Sequence, residues 1–135
     1  MFELTYDTLR SAEFNAGIRK LLNSNSYTDV KKIYNISRIG TLLEQHHKDA
    51  AEVFKKVVQA HGKIKDDGTF TIDDDKIESW KKAHDDFLQH KIKVERHKLR
   101  VEDVGTILTP LEMSVMEPML DGLDTLDGEN TSQPH

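Results

Sequence analysis

Phe2-Glu3-Leu4-Thr5-Tyr6 alternates apolar and polar positions, the period of a strand that buries one face, with Phe2, Leu4 and Tyr6 on that face. The period then changes. Phe14, Ile18, Leu21 and Leu22 recur at helical spacing behind Ser11, a residue suited to accept from the free N–H groups of a helix start. This predicts a helix from about residue 8 or 12 to Leu22, closed by Asn23-Ser24-Asn25-Ser26, whose side chains compete for backbone hydrogen bonds. Thr28 or Asp29 caps the next segment. There Val30, Ile33, Ile36, Ile39, Leu43, Ala50, Val53, Phe54, Val57 and Val58 form an apolar stripe over about 30 residues, up to His61-Gly62, where the glycine suits a left-handed helix end.

Past that long helix, Lys63-Ile64-Lys65, Asp66-Asp67-Gly68 and Thr69-Phe70-Thr71-Ile72 read as a hairpin, the glycine supplying positive φ in the turn. Asp73, Asp74 or Asp75 is positioned to cap a further helix carrying Ile77, Trp80, Ala83, Phe87 and Leu88. Lys91-Ile92-Lys93-Val94 and His97-Lys98-Leu99-Arg100-Val101 alternate again, which predicts a second strand pair before Gly105. Thr109, Pro110 and Glu112 form a capping box with proline at the first helical position, so a short helix starts there; Met116, Met119 and Leu120 face inward and Pro118 limits it. The expected fold class is α+β, mainly helical, with three to four helices around one core and one or two short β-hairpins. Ile36, Leu43, Phe54, Val57, Trp80 and Phe87 are the expected shared core.

Composition narrows the picture. A chain of 135 residues suits one domain, and 36% hydrophobic against 32% charged residues favours a thin core. Cysteine is absent, which removes disulfides, thiolate metal sites and cysteine nucleophiles together and suits a reducing compartment. The first residues lack the basic and apolar pattern of a secretory signal, and no run of about 18 apolar residues occurs. No membrane contact is expected. The net charge of −5 is unevenly placed. Residues 121–135 hold Asp121, Asp124, Asp127 and Glu129 with no lysine or arginine, and setting those four apart leaves 19 basic against 20 acidic groups. The expected organisation is therefore a nearly neutral domain over 1–120 and an acidic, flexible tail over 121–135 that folding does not need. Nucleic-acid binding by overall charge is not supported, because counterion release needs a clustered cationic excess.

Candidate chemistry is sparse. Glu44-Gln45-His46-His47 sets a carboxylate and an imidazole on one helical face, but a di-metal carboxylate bundle needs a second such step, and none is present. Asp66 to Asp74 resembles half of a calcium loop, yet aligning Gly68 with its glycine places Lys63 and Lys65 where carboxylate ligands belong. No serine lies in a Gly-x-Ser-x-Gly or Ser-x-x-Lys context, and no glycine-rich phosphate loop is present. No catalytic residue, metal ligand or cofactor site is assigned. What remains is the segment 91–100, where Lys91, Lys93, Arg96, Lys98 and Arg100 stand against Glu95 alone. Those five cations are the candidate contact for an anionic partner; solvated lysines guarding a strand edge are the competing explanation.

The order of elements resembles a group of small proteins of unassigned role encoded by tailed bacteriophages and prophages. The features that carry the likeness are Leu4-Thr5, Leu21-Leu22, Tyr34-Asn35-Ile36-Ser37-Arg38, Asp66-Asp67-Gly68, and Leu108-Thr109-Pro110-Leu111-Glu112 with Glu117-Pro118. The resemblance covers about residues 3–120 and is one of layout; it implies phage origin and no enzymatic role, and supplies no site residues. On it rests the leading expectation: a non-enzymatic protein of the virion or host cytoplasm, acting through contacts with other phage proteins as a minor virion component or assembly factor. The alternative is a host-directed inhibitor or anti-defence protein occupying a basic, nucleic-acid-binding surface of a host protein.

Overall fold

Alternation at the start of the chain does build a strand, β1 (Phe2–Thr5), in the computed structural model, which describes residues 1–122. Thr5 ends it by accepting from the Thr8 N–H at 3.2 Å, which starts the single-turn helix α1 (Tyr6–Leu9). Ser11 caps α2 (Ala12–Leu22) through the Phe14 N–H at 3.3 Å. Of the two residues suited to cap the long helix, Asp29 does so, its carboxylate accepting from Lys31 N–H at 2.8 Å at the head of α3 (Val30–His61). At about 1.5 Å per residue, this helix runs the length of a small domain.

Gly62 does not take the left-handed conformation expected of it. Its φ is −176°, extended backbone, and it opens strand β2 (Gly62–Ile64) directly from the helix. A glycine is needed here for proximity, since a Cβ would collide with the Thr71 carbonyl of the facing strand β3 (Phe70–Ile72). The hairpin pairs Gly62 with Ile72 and Ile64 with Phe70, and its turn takes the predicted positive φ at Gly68, +88°. Asp67 braces that turn by accepting from both the N–H (3.0 Å) and the hydroxyl (2.6 Å) of Thr69. The following helix, α4 (Ile77–Gln89), is entered through a 3-10 turn over Asp74–Lys76, and neither end carries a side-chain cap. The expected aspartate cap is replaced by backbone: the Asp73 carbonyl accepts from Lys76 N–H at 2.9 Å.

The two alternating segments after α4 do not pair with each other. Strand β4 (Lys91–Val94) runs antiparallel to β1, with Phe2 opposite Val94 and Leu4 opposite Ile92. Strand β5 (Leu99–Arg100) lies parallel to β6 (Leu120–Asp121), and Val101 begins the short helix α5 (Val101–Val104) instead of extending the strand. Alternation encodes which side chains turn inward; it carries no information about the strand that supplies the partner. The fold is mainly helical α+β with short strand pairs, of which β2–β3 is the local hairpin.

Near the end of the described chain, α6 (Pro110–Val115) carries the complete capping box: Thr109 Oγ1 accepts from Glu112 N–H (3.2 Å) and Glu112 Oε1 from Thr109 N–H (2.9 Å). A 3-10 turn over Glu117–Met119 delivers the chain to β6. Asp121, placed by the sequence reading in the acidic tail, thus belongs to a paired strand, while residues 123–135 lie outside the described residues.

Phe2, Leu4, Leu9, Phe14, Leu21, Ile39, Val94, Val104, Met116 and Met119 meet in one buried cluster, joined by Ile36, Leu43 and Phe87 of the expected core. Phe54 packs against its edge, half-buried, and Val57 and Trp80 are half-buried too. That is a correction. The last turns of α3 are faced by α4 and the hairpin, which form a thin aromatic layer rather than a second core. In that layer Phe54 meets Phe70 (5.7 Å between ring centres), Trp80 (6.0 Å) and Phe87 (5.6 Å), and His84 stacks on Trp80 at 5.1 Å. The Arg10 guanidinium sits 4.6 Å from the Phe54 ring centre, a cation over an aromatic face.

Candidate anion-binding cleft

Five cations in the segment 91–100 go to three places. Lys91 and Lys93 stand on the exposed face of β4, opposite Thr5 and Glu3 of β1, while Ile92 and Val94 turn inward. The alternation stops at Val94. Arg96 folds back on α3, its Nε donating to Asn35 Oδ1 at 3.1 Å and its guanidinium lying 5.3 Å from the Tyr34 ring centre. Asn35 Nδ2 in turn donates to the His97 carbonyl at 3.1 Å, so a single amide holds the 95–98 loop against the helix from both sides. Lys98 and Arg100, carried past that clasp, reach a cleft between the head of α3 and β5.

The cleft has a volume of about 200 Å³. Tyr27, Ile36 and Leu99 give it apolar walls, and Lys31, Lys32, Lys98 and Arg100 surround them. Two of those cations are satisfied internally. Lys32 Nζ pairs with Asp103 Oδ1 at 2.9 Å, a bond that raises the lysine above its ordinary range. Arg100 meets Glu102 through Nε (2.7 Å) and Nη2 (3.4 Å), and that hydrogen bonding likewise raises its already high pKa. Tyr27 closes the far side by donating its hydroxyl to the Asp103 carbonyl at 3.3 Å; burial, then the Asp103 charge, pushes the phenol upward, so it stays neutral. Lys31 and Lys98 are exposed and have no ion-pair partner among the described residues. The arrangement can hold an anionic group at the rim and an apolar group below it.

Lys31 and Lys32 belong to this site although the sequence reading passed over them. A signal was there: they fall in the first turn of α3, where cations oppose the macrodipole at a cost of about 0.3–1 kcal/mol each and acids are the favoured occupants. Residues that break a local preference concentrate at functional sites, where another interaction offsets the cost.

The remaining sequence candidates lie away from the cleft. Glu44, on the exposed side of α3, approaches Lys48 Nζ (3.7 Å), and His47 is half-buried, its pKa lowered by burial and then by the neighbouring His46. Among the described residues no group of three or more histidines, cysteines or carboxylates comes together as a metal cage. The Asp66-to-Asp74 stretch forms the hairpin turn and the 3-10 entry to α4. His61 is tied locally: its Nδ1 faces the Val57 carbonyl at 2.7 Å, so that nitrogen donates, and its Nε2 shares a hydrogen bond with the Ser79 hydroxyl at 3.0 Å. No helix among the described residues is long and apolar enough to cross a membrane.

Comparison of the chain with protein-family models, with curated proteins and with solved structures returns no match.

Proposed function

We propose that this protein acts by binding other proteins rather than by turning over a substrate, and that it serves phage assembly as a minor virion component or assembly factor. The observation that carries the binding reading is the cleft, where Lys31 and Lys98, without an ion-pair partner among the described residues, accompany the apolar surface of Tyr27, Ile36 and Leu99. Such a surface suits an acidic segment of a partner that also bears apolar side chains: the rim charges steer the encounter and fix its register, and the apolar floor adds affinity. The phage assignment rests on the layout resemblance over about residues 3–120.

The test is incorporation. The full chain should be recovered from purified particles or assembly intermediates in a fixed ratio to the major structural protein, and the Lys31→Glu/Lys98→Glu variant should be depleted from them while keeping its melting temperature. A variant that incorporates as well as the parent removes the cleft from the function. Absence of the parent chain from every particle and intermediate removes the assembly role, and stoichiometric co-purification with a host protein would then replace it by the host-directed reading.

A further inference from the structure

We propose that the cleft is occupied in cis by the chain's own segment 123–135, which a partner's acidic segment must displace. The inference deepens the binding reading and rests on it. Three observations point to this occupant. The described chain ends beside the cleft: Asp121 of β6 lies opposite Arg100 of β5, and at Gly122 an added Cβ would stand 3.2 Å from Val101 Cγ1. Leu99 and Arg100, the two residues of β5, line the cleft itself. The described chain therefore ends on the strand that neighbours the cleft-lining β5.

The second observation is charge. The segment 123–135 carries Asp124, Asp127 and Glu129 and no lysine or arginine, whereas the cleft offers Lys31 and Lys98 with no ion-pair partner among the described residues, the lining Asp103 being engaged by Lys32 and the adjacent Glu102 by Arg100. The third is patterning. Leu123-Asp124-Thr125-Leu126-Asp127 spaces its leucines three apart and its aspartates three apart, so one helical turn would present two apolar and two acidic groups side by side. This is the complement of an apolar floor with a cationic rim. Leu123 and Leu126 meet the floor; Asp124, Asp127 and Glu129 meet the lysines.

Tethering makes a weak contact sufficient. Thirteen residues span up to about 43 Å when extended, so the segment reaches every part of the cleft without strain. A short flexible link gives an effective concentration on the order of 1 mM, at which a contact with a dissociation constant of about 1 mM is half-occupied. A partner must then compete with the segment, which raises the affinity required and rejects weaker acidic sequences.

The chain has no cysteine, so Ser132→Cys provides a unique attachment point for a nitroxide spin label on the full chain. In the 15N-labelled protein, backbone amide signals of residues 31, 35 and 97–100 should lose most of their intensity, while those of the hairpin turn 66–68 keep theirs. The loss should be reversed by Asp124→Asn/Asp127→Asn/Glu129→Gln, and weakened at about 1 M salt, where the Debye length falls to about 3 Å. Cleft amides no more affected than Gly68 overturn the proposal. So does a comparable loss when spin-labelled chain without 15N is mixed with 15N-labelled chain without the nitroxide, because the occupant is then another copy. The two readings fail separately: no paramagnetic effect together with depletion of the Lys31→Glu/Lys98→Glu variant from particles leaves the cleft as the partner's site and removes the segment from it. The effect together with normal incorporation of that variant retains the cis contact and removes its link to assembly.

Discussion

Glu112 joins two parts of the molecule through one carboxylate. Its Oε1 accepts from the Thr109 N–H at 2.9 Å, which caps α6, and from Lys20 Nζ of α2 at 2.8 Å. The Lys20 hydrogen bond first, then the Thr109 backbone bond, holds the Glu112 carboxyl below its ordinary range. A folded pKa below the unfolded one contributes stability above the unfolded value, about 4.3, and loses it as pH falls through the folded value. Glu112→Gln should therefore lower the urea midpoint at pH 7, with the gap to the parent closing once the pH has passed below the folded pKa. A gap that persists there unchanged assigns the loss to packing instead of charge. Thr109→Ala, which removes the reciprocal cap alone, should cost about 1 kcal/mol at either pH. The Thr-Pro-x-Glu cap was legible because its partners are three residues apart; Lys20 was not, because nothing local links it to a residue 92 positions on.

At the scale of elements, α3 and α4 show how periodicity sorts side chains by face without revealing depth. Phe54 and Trp80 both sit on apolar stripes, and both are half-buried. Their surroundings differ. Phe54 lies between the main cluster and the aromatic layer, under Arg10 and against Phe70, Trp80 and Phe87; Trp80 meets rings of that layer alone. Phe54→Ala should cost about 3 kcal/mol, near the lower end for a buried aromatic, and Trp80→Ala about half as much. Denaturant midpoints at matched slopes decide it, and equal losses would restore Trp80 to the shared core. Sequence alone does not separate the two, because an amphipathic stripe looks the same wherever the covering layer ends.

For the whole molecule, the strand pairs that close the body are long-range. β1 pairs with β4, and β5 with β6, so the first residues and the last described ones complete surfaces laid down by the middle of the chain. Phe2 and Leu4 are 4% and 2% exposed, and removing both forfeits about 1.5–3 kcal/mol each before Ile92 and Val94 are uncovered. Against a total stability of about 5–15 kcal/mol for a domain of this kind, deleting residues 1–5 should abolish cooperative melting followed by circular dichroism. Retention of the parent melting temperature would show that β4 stands without its partner.

The caps of α2, α3 and α6 and the inward face of β1 were decided by the sequence, because each depends on residues within a few positions of one another: Ser11 with Phe14, Asp29 with Lys31, Thr109 with Glu112, and the alternation of Phe2 and Leu4. Only the tertiary structure decided that β4 turns to β1 and not to the segment after it, that Gly62 opens a strand, and that α3 outruns the main core. The cleft belongs to the same class. The basic run at 91–100 was visible, but the two lysines that complete the site, Lys31 and Lys32, lie at the head of α3, far from it in the chain, and Asn35, bonded to Arg96 and to the His97 carbonyl, brings the two stretches together. Local sequence sets the geometry of a turn or a cap; a surface built from distant segments exists only once loop-closure entropy has been offset by the burial that holds them.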